Sequence, residues 1–321
     1  MKWPIAIIAA SLLAWCEIRA DAPANLVPVT IAEYGEFPLY ASLYVADAKG
    51  YFVQEGLKVT IVPAGGDEKV FAALLAGSAQ FGVGDPIFTV ISGEKGRPGR
   101  IVCSILQSIP GWGIANDPKV QQISSPADLK GLSVGAYPAP STSHTLIRRL
   151  FQMGNLPPNV IGIAYGSTLA ALQAEQVDIV LEYEPVVSRA VAEGSRRVFS
   201  LSDYFPEFAL TGLSVLPEYA AQNPAIVQKV INAFQRAFSD MHADLAGIVP
   251  IIAKRFPEIP AEHLSPALTQ AMKAGSFPKS CHVTKRAWEE AVKLRRDVGD
   301  LQGKADFNEY FVPTFADIAA K

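Results

Sequence analysis

A helical turn that leads into an apolar strand, with an acid and a proline at the end of the strand, occurs twice in this chain. The copies span residues 71–86 and residues 169–185. Their strands end at Asp85 and at Glu184, and a proline follows each acid. Because ligands of open α/β sheets bind beyond the carboxyl ends of strands, the repeat predicts two similar lobes whose strand-end loops face each other across a cleft. Few residues are identical between the copies, so two unrelated αβ connections are the alternative.

Strand and helix patterns alternate on both sides of the first copy. Residues 29–32 and 58–62 have the pattern of strands, and residues 39–50 have helical spacing that ends at a glycine. A second alternating series covers residues 132–185. Such alternation indicates mostly parallel sheets flanked by helices.

The last third of the chain has a helical pattern throughout. The expected helices are residues 225–243, 245–255, 263–274 and 285–298. We expect these helices to pack back on the first lobe.

The chain is long enough for two domains, since half of its 321 residues are hydrophobic. We therefore predict an α/β protein with two lobes joined by two crossings of the chain. The expected lobe one consists of residues 25–115 and 206–321, and lobe two of residues 116–205.

The first 24 residues have the features of a secretory signal peptide. Lys2 precedes an apolar run over residues 3–15 that is too short to span about 30 Å of hydrocarbon, and small residues follow. Cys16 permits an alternative, a lipoprotein signal in which this cysteine is acylated, although Trp15 occupies a slot that normally takes a small residue. Both interpretations predict an exported, periplasmic protein.

Composition and motifs exclude several classes of function. The net charge of −3 and the pI near 5.9, without a dense stripe of Lys and Arg, argue against nucleic acid. The four histidines are scattered, which does not support a metal site. Ser133 lies in a G-x-S-x-G pattern, but Tyr137 and Pro138 follow it where a nucleophile elbow needs a helix. We therefore expect no catalytic residue.

Two cysteines follow the signal peptide region. Cys103 lies in an apolar run, which favours a buried strand residue. A disulfide with Cys281 is permitted in an exported protein, although the spacing does not demonstrate one.

The order of segments over residues 29–86 is similar to that of a known family. A loop with tyrosine and proline precedes a helix that ends in Ala-Lys-Gly-Tyr-Phe, followed by Glu-Gly-Leu-Lys-Val, a Gly-Gly loop and Leu-Leu-Ala-Gly-Ser-Ala-Gln-Phe-Gly-Val-Gly-Asp. This order resembles the periplasmic solute-binding proteins of bacterial ABC importers, in the branch that includes nitrate, taurine, alkanesulfonate and thiamine-pyrimidine binders. A weaker similarity extends to about residue 220.

The resemblance implies a type II periplasmic-binding-protein fold with two hinge crossings. It also implies a small-molecule solute and a membrane permease as partners. We expect a monomer without a cofactor or metal.

Three hydroxyl residues, Ser141, Thr142 and Ser143, stand where a helix is expected to begin. Free backbone N–H groups and the helix dipole make such a position suitable for a polar or anionic group of a ligand. The alternative is plain N-capping, which needs one hydroxyl.

Carboxylates are frequent in the expected strand-end loops. They are Glu36, Asp67 with its neighbour Gly66 in the glycine loop, Asp85, Glu182 and Glu184. We expect no Lys or Arg beside them, so the cleft would favour a cationic or hydrogen-bond-donating solute such as an amine, amidine or aminopyrimidine. An anionic solute (sulfonate, taurine or nitrate) is the alternative. For the acids themselves the alternatives are structural: Asp67 and Asp85 would cap helices, and Glu182 would lie on a solvated face.

Aromatic residues accompany the same loops. They are Tyr34, Phe37, Tyr40, Trp112, Tyr137 and Tyr183. Planar or cationic solutes bind well between such rings, and core packing is the alternative for each of them.

These observations favour a binding protein that closes on a small solute by hinge motion. An enzyme similar to the fungal pyrimidine synthases of this fold is the alternative from another class. A periplasmic sensor that uses the same closure is a third interpretation.

Overall fold

The computed structural model describes residues 25–320, which form two five-stranded sheets flanked by helices. The predicted signal peptide and Cys16 lie outside the described residues. The strands are β1 (Val27–Glu33), β2 (Leu57–Pro63), β3 (Phe81–Gly84), β4 (Arg100–Leu106), β5 (Gly111–Ala115), β6 (Val134–Ala136), β7 (Val160–Gly162), β8 (Ile179–Tyr183), β9 (Arg196–Ser200) and β10 (Thr211–Val215).

The two sheets have equivalent topologies. The first has the strand order β2-β1-β3-β10-β4 and the second β7-β6-β8-β5-β9. In each sheet one strand, β10 or β5, runs antiparallel to its two neighbours, while the pairs made by β1 and by β6 are parallel. The prediction of two mostly parallel sheets, each flanked by helices, is therefore confirmed.

The predicted helix-strand repeat corresponds to equivalent positions in the two sheets. Its strands are β3 and β8, which lie at the centre of their sheets. Every residue of both strands is buried, as expected where helices cover both faces of a sheet.

The helices connect the strands and form the last third of the chain. They are α1 (Ala41–Ala48), α2 (Tyr51–Gln54), α3 (Asp67–Leu75), α4 (Phe88–Gly93), α5 (Thr142–Met153), α6 (Thr168–Gln173), α7 (Val186–Ala192), α8 (Pro217–Gln222), α9 (Pro224–Ala243), α10 (Leu245–Arg255), α11 (Ala261–Lys273), α12 (Lys285–Asp297), α13 (Phe307–Tyr310) and α14 (Pro313–Ala319). None of the helices within residues 25–320 combines the length and hydrophobicity needed to cross a bilayer.

Local sequence explains the long C-terminal helices. On α9, Val230, Phe234 and Met241 recur at helical spacing and are buried against the first lobe. α12 begins where the Thr284 hydroxyl accepts a hydrogen bond from the Ala287 N–H at 3.2 Å. The expected bounds of the four long helices agree with the structure to within two residues at each end.

The first crossing between the sheets comes earlier than predicted. β4 ends at Leu106 in the first sheet, and β5 begins at Gly111 in the second, where it pairs with β8 and β9. The expected boundary at residue 115 is therefore wrong, because it assigns β5 to lobe one. A five-residue apolar strand has the same pattern in either sheet, and only its pairing decides where it belongs. The chain returns between Ser200 and Thr211.

The C-terminal segment is fastened to β4 at the edge of the first sheet. Phe311 forms a bridge with Ile101, and the Ser104 N–H donates to the carbonyl oxygen of Cys281 at 2.9 Å. Cys103 is buried in β4, as expected, and forms a disulfide with Cys281, 178 residues away in sequence.

Removing this disulfide should destabilise the protein, because the bond closes a long loop in the unfolded chain. We expect the double substitution Cys103→Ser and Cys281→Ser to lower the free energy of unfolding by about 2–5 kcal/mol, measured by urea denaturation. Reductant should lower the melting temperature of the native protein and leave that of the double variant unchanged. Equal melting temperatures of the native protein with and without reductant, once free thiols are shown by alkylation, would contradict the expectation.

Candidate functional site

A chamber lies between the lobes where the carboxyl ends of the central strands meet. We call it the aromatic chamber. Its lining residues are Tyr34, Phe37, Tyr40, Asp67, Asp85, Leu106, Tyr137, Ser141, Thr142, Ser143, Tyr183, Leu210 and Thr211. Both lobes and both crossings contribute to it. Ten of the residues that the sequence analysis named for the site line this chamber, whereas Glu36, Gly66, Trp112, Glu182 and Glu184 do not.

Aromatic rings from the two lobes meet around the chamber. The ring centroids of Tyr34 in lobe one and Tyr137 in lobe two are 6.2 Å apart, and those of Phe37 and Tyr183 are 5.7 Å apart. The Tyr165 ring lies beside this cluster, and its hydroxyl donates to the carbonyl oxygen of Glu36 at 2.9 Å. Tyr165 is 45% exposed and covers one side of the cluster. The sequence analysis did not select this residue, although it follows the end of β7 as the selected aromatic residues follow other strands.

Asp67 is the first residue of α3, and its side chain points into the chamber. One carboxylate oxygen accepts the Asp85 N–H at 2.8 Å, and the other takes no hydrogen bond from the described residues. Burial raises the pKa of Asp67 to about 7, and the nearby charge of Asp85 adds to this shift. Gly66 precedes the helix, and a Cβ there would lie 2.7 Å from the Glu68 carboxylate.

The hydroxyl residues at the start of α5 have separate partners. Ser141 is the N-cap residue: its side chain accepts from the His144 N–H at 3.3 Å and donates to the carbonyl oxygen of Tyr137 at 2.8 Å. The Ser143 hydroxyl lies 3.0 Å from that of Ser141. Thr142 donates to the Asp85 carboxylate across the cleft. Ser141 therefore has the capping role that was the alternative, and all three hydroxyls also line the chamber.

Arg295 on α12 lies beside these groups and was not predicted. Its Nη2 donates to the Asp85 carboxylate at 2.8 Å, and its Nη1 donates to the Thr145 hydroxyl at 2.7 Å and to the carbonyl oxygen of Pro140 at 3.1 Å. Asp85 belongs to lobe one, whereas Thr145 and Pro140 belong to lobe two. The arginine is about 1% exposed. The expectation that no Lys or Arg lies beside the carboxylates is therefore wrong, because a helix some 210 residues away in sequence delivers one.

Two other predicted carboxylates are paired outside the chamber. Glu36 forms an ion pair with Arg255 at the surface. Glu184 is buried, lies 3.2 Å from Arg197 and accepts the Ser188 N–H at 3.0 Å near the start of α7. Each of these two acids is therefore paired with an arginine outside the chamber.

Trp112 also lies outside the chamber. The Arg197 guanidinium lies 5.4 Å from the centroid of its ring, which packs against the core of lobe two. Trp112 therefore has the core-packing role that was the alternative for this residue.

Glu182 does not line the chamber but contacts Tyr137, which does. Its carboxylate accepts hydrogen bonds from the hydroxyls of Thr168 and Tyr137, the latter at 3.0 Å, and burial raises its pKa. Glu182 therefore orients the ring of Tyr137 and does not face the chamber.

Glu33 is a buried acid at the end of β1 that the sequence analysis did not select. One carboxylate oxygen accepts the Tyr44 hydroxyl at 2.7 Å, and the other is buried without a partner among residues 25–320. Burial raises the pKa of Glu33 to about 7. Its position at the end of a strand is the signal that could have identified it.

The electrostatics of the chamber depend on which acids are paired. Asp85 is matched by Arg295, whereas Asp67 is held by backbone and has no cation within the chamber lining. The site therefore offers one uncompensated carboxylate among aromatic rings and hydroxyls. No group of three or more His, Cys, Asp or Glu residues suitable for a metal occurs in the described part of the chain.

Comparisons with known proteins identify the family. The model of the family described as NMT1/THI5 like matches residues 38–245. The chain belongs to the NMT1/THI5-like family. Among curated proteins, the riboflavin-binding protein RibY of Chloroflexus aurantiacus is 28% identical over 240 residues, which are 70% of this chain and 65% of that relative. This NMT1/THI5-like chain thus spans slightly less than two thirds of the length of RibY.

Solved structures share the fold of this NMT1/THI5-like protein. The periplasmic aliphatic sulphonate binding protein SsuA of Escherichia coli has a TM-score of 0.71 at 18% identity, with 91% of this chain and 99% of that chain covered. The desulfurization enzyme DszB has a TM-score of 0.67 at 14% identity, with 92% and 99% covered. The two-lobe periplasmic-binding-protein fold is therefore confirmed. The fold hosts both binding and catalysis, so function must be argued from the site.

The raised pKa of Asp67 predicts a pH-dependent stability. The folded protein holds a proton on Asp67 up to about pH 7, whereas the unfolded chain releases it near pH 4, so this group lowers stability as the pH rises through that window. Asp67→Asn, which keeps an oxygen acceptor for the Asp85 N–H, should be more stable than the native protein at pH 8 by on the order of 2–4 kcal/mol and nearly equal at pH 4. Urea denaturation at several pH values measures the difference.

A matched control for this measurement is Asp203→Asn, at an exposed aspartate. This control should follow the pH profile of the native protein. A profile of Asp67→Asn that runs parallel to that of the native protein from pH 4 to pH 8 would contradict the assignment.

The interlobe contacts of Arg295 predict a large loss of stability when its charge is removed. Arg295→Met keeps the length of the side chain but leaves Asp85 buried without a cation, which should cost about 3–5 kcal/mol. Adding Asp85→Asn should recover part of this loss, because the uncompensated charge is then gone. Urea denaturation of the two single variants and the double variant measures the coupling. Strictly additive losses would show that the pair is not coupled.

Proposed function

We propose that this protein is the extracytoplasmic solute-binding component of an ABC importer, and that it captures a small nitrogen-containing organic solute in the aromatic chamber. The solute would have a planar ring, as in a thiamine-pyrimidine-like compound, or an amine group. The observation that carries the proposal is the uncompensated carboxylate of Asp67 in a chamber walled by aromatic rings from both lobes.

The chamber favours a hydrogen-bond donor over an anion. The free oxygen of Asp67 can accept an N–H group, and the rings of Tyr34 and Tyr137 present faces to a planar or cationic group. An anion would meet Asp67 while the neighbouring Arg295 is already paired with Asp85. A sulfonate or nitrate, the alternative class of solute, would therefore be bound less well.

Solute capture requires the lobes to move. The cavity volume of the chamber is about 50 Å³, which is room for a few water molecules. A solute as large as a pyrimidine therefore enters only when the rings of the two lobes separate, and rotation about the two crossings would separate them. Contacts of the bound solute with both lobes then stabilise the closed form. A permease can detect this difference between the loaded and the empty protein.

The relatives support this class of function. The name of RibY identifies riboflavin, a planar nitrogen heterocycle, as its ligand, so riboflavin is one candidate here. The name of SsuA identifies a periplasmic sulphonate binder, and together with the predicted signal peptide it supports a periplasmic location for this protein. Within the proposal the protein acts as a monomer with a membrane permease as partner, without a cofactor and without catalysis.

Titration calorimetry with a panel of solutes tests the proposal. The panel contains 4-amino-2-methylpyrimidine, riboflavin, putrescine, methanesulfonate and nitrate. At least one nitrogen-containing donor should bind, and Asp67→Asn should weaken that binding by about tenfold or more at pH 8, because a charge-assisted hydrogen bond is lost. Asp203→Asn, which changes an exposed acid, serves as the matched control and should bind like the native protein.

Three results would contradict the proposal. Tight binding of methanesulfonate or nitrate without binding of any donor would favour the anionic alternative. Conversion of a bound compound to a product, detected by mass spectrometry, would favour the enzyme alternative. Equal affinity of the native protein and Asp67→Asn would remove Asp67 from the site.

A further inference from the structure

Tyr165 covers one side of the aromatic cluster and connects the two lobes. It belongs to the loop between β7 and α6 of lobe two, and its ring lies against the loop that follows β1 of lobe one. Its ring centroid is 6.2 Å from that of Tyr34 and 6.2 Å from that of Phe37. A Cβ built on Gly35 would lie 3.9 Å from Cε1 of Tyr165, and the Tyr165 hydroxyl donates to the carbonyl oxygen of Glu36 at 2.9 Å. Tyr165 therefore lies against four successive residues of lobe one.

We propose that Tyr165 is the gate of the aromatic chamber, and that the lobes first separate where this residue contacts lobe one. The proposal rests on the proposed function only in taking the chamber as the solute site. Tyr165 then sets the rate at which a solute enters and leaves.

The other hydrogen bonds between the lobes lie in a different part of the interface. In the described part of the chain, every hydrogen bond across the cleft other than that of Tyr165 involves α5 or Pro140, which lies two residues before α5. Arg148 of α5 forms an ion pair with Asp300 at 3.0 Å, and the buried Arg295 donates to the carbonyl oxygen of Pro140. These contacts hold α5 against α12 and the segment that follows α12.

The contact made by Tyr165 is the weaker of these two attachments. A hydrogen bond between neutral groups contributes less than one that involves an ionised group. Because Tyr165 is 45% exposed, water can replace its hydrogen bond when the lobes separate. Separation at α5 would instead remove the hydrogen bonds of the buried Asp85–Arg295 pair to lobe two, which is costly. The lobes therefore separate with the smaller loss of free energy at Tyr165.

Tyr165 can be displaced while its contact surface on lobe one stays in place. In lobe one, the Tyr34 N–H donates to the carbonyl oxygen of Val83 at 3.1 Å, and the Gly65 N–H donates to that of Tyr34 at 2.7 Å. In lobe two, Tyr165 lies in the exposed stretch of residues 164–167, after the edge strand β7, and belongs to no hydrophobic core cluster of the described residues. Movement of Tyr165 therefore leaves the packing of both cores intact.

Alkylation of a cysteine in the chamber measures how often the chamber opens, without any solute. Ser143→Cys places a thiol of similar size in the buried lining, and the native Cys103 and Cys281 are joined in a disulfide. The reagent is iodoacetamide, and mass spectrometry of the peptide that carries position 143 gives the rate. The chamber has a cavity volume of about 50 Å³, so the closed form excludes the reagent and the rate follows the population of the open form.

Two substitutions separate the hydroxyl of Tyr165 from its ring. Tyr165→Phe removes the hydrogen bond to lobe one, and Tyr165→Ala removes the ring contacts as well. Both variants should fold, because the side chain is half exposed. We expect the Ser143→Cys thiol to be alkylated about threefold faster in Tyr165→Phe and at least about tenfold faster in Tyr165→Ala than in the presence of Tyr165.

Controls distinguish opening at the gate from a general loss of structure. Tyr51→Phe also removes the hydrogen bond of a tyrosine hydroxyl, but Tyr51 and its acceptor Asp240 both belong to lobe one, so this variant should not change the alkylation rate. Ser214→Cys, at a buried serine of β10, should be alkylated equally slowly with and without Tyr165→Ala. Thr211→Cys, at another residue of the chamber lining, is a second reporter and should give the same ratios as Ser143→Cys.

Several outcomes would overturn the proposal. Equal alkylation of the Ser143→Cys thiol with Tyr165, Tyr165→Phe and Tyr165→Ala would show that Tyr165 does not control access. Equal acceleration by Tyr51→Phe, or parallel acceleration at Ser214→Cys, would show that the fold as a whole has loosened. Alkylation in the presence of Tyr165 as fast as that of a free peptide thiol would show that the chamber is not gated. These measurements use no solute, so failure of the solute panel and failure of the gate are distinguished.

Discussion

A buried ion pair between Asp85 and Arg295 connects the two lobes in their closed arrangement. Burying two charges is costly unless further hydrogen bonds satisfy them. The guanidinium obtains these bonds from lobe two, from the Thr145 hydroxyl and the carbonyl oxygen of Pro140. The carboxylate obtains one from Thr142. Separation of the lobes would leave the pair without these partners, so hinge opening and the energetics of the pair are linked.

The same pair determines the chemistry on its two sides. On one side Asp85 is neutralised, so Asp67 is the acid of the aromatic chamber that has no cation in the lining. On the other side the guanidinium donates to the Thr145 hydroxyl and the Asp300 carboxylate, and its buried Nε has no acceptor among the described residues. A single arginine on the C-terminal helix α12 therefore determines which acid of the aromatic chamber lacks a cation as partner.

Much of the fold could be predicted because its signals are local. Alternating strand and helix patterns gave the mostly parallel sheets, and helical spacing gave the bounds of helices such as α9 and α12. The position of β5 could not be predicted, because a short apolar strand has the same local pattern in either sheet. Prolines after Asp85 and Glu184 marked equivalent strand ends, yet only Asp85 lines the chamber. Glu184 instead forms an ion pair with Arg197, and the spacing of residues in the sequence does not predict this contact.

The sequence by itself determined the elements, the two equivalent lobes and the loops that carry the candidate site, since hydrophobic periodicity and turn residues act over a few positions. The tertiary structure alone decided which charged groups meet. Arg295 lies 210 residues from Asp85, and Cys281 lies 178 residues from Cys103, so their pairing follows from packing of the C-terminal segment against the first sheet. Coulomb interactions and hydrogen bonds depend on distances of a few ångströms in space, and sequence separation does not fix such distances.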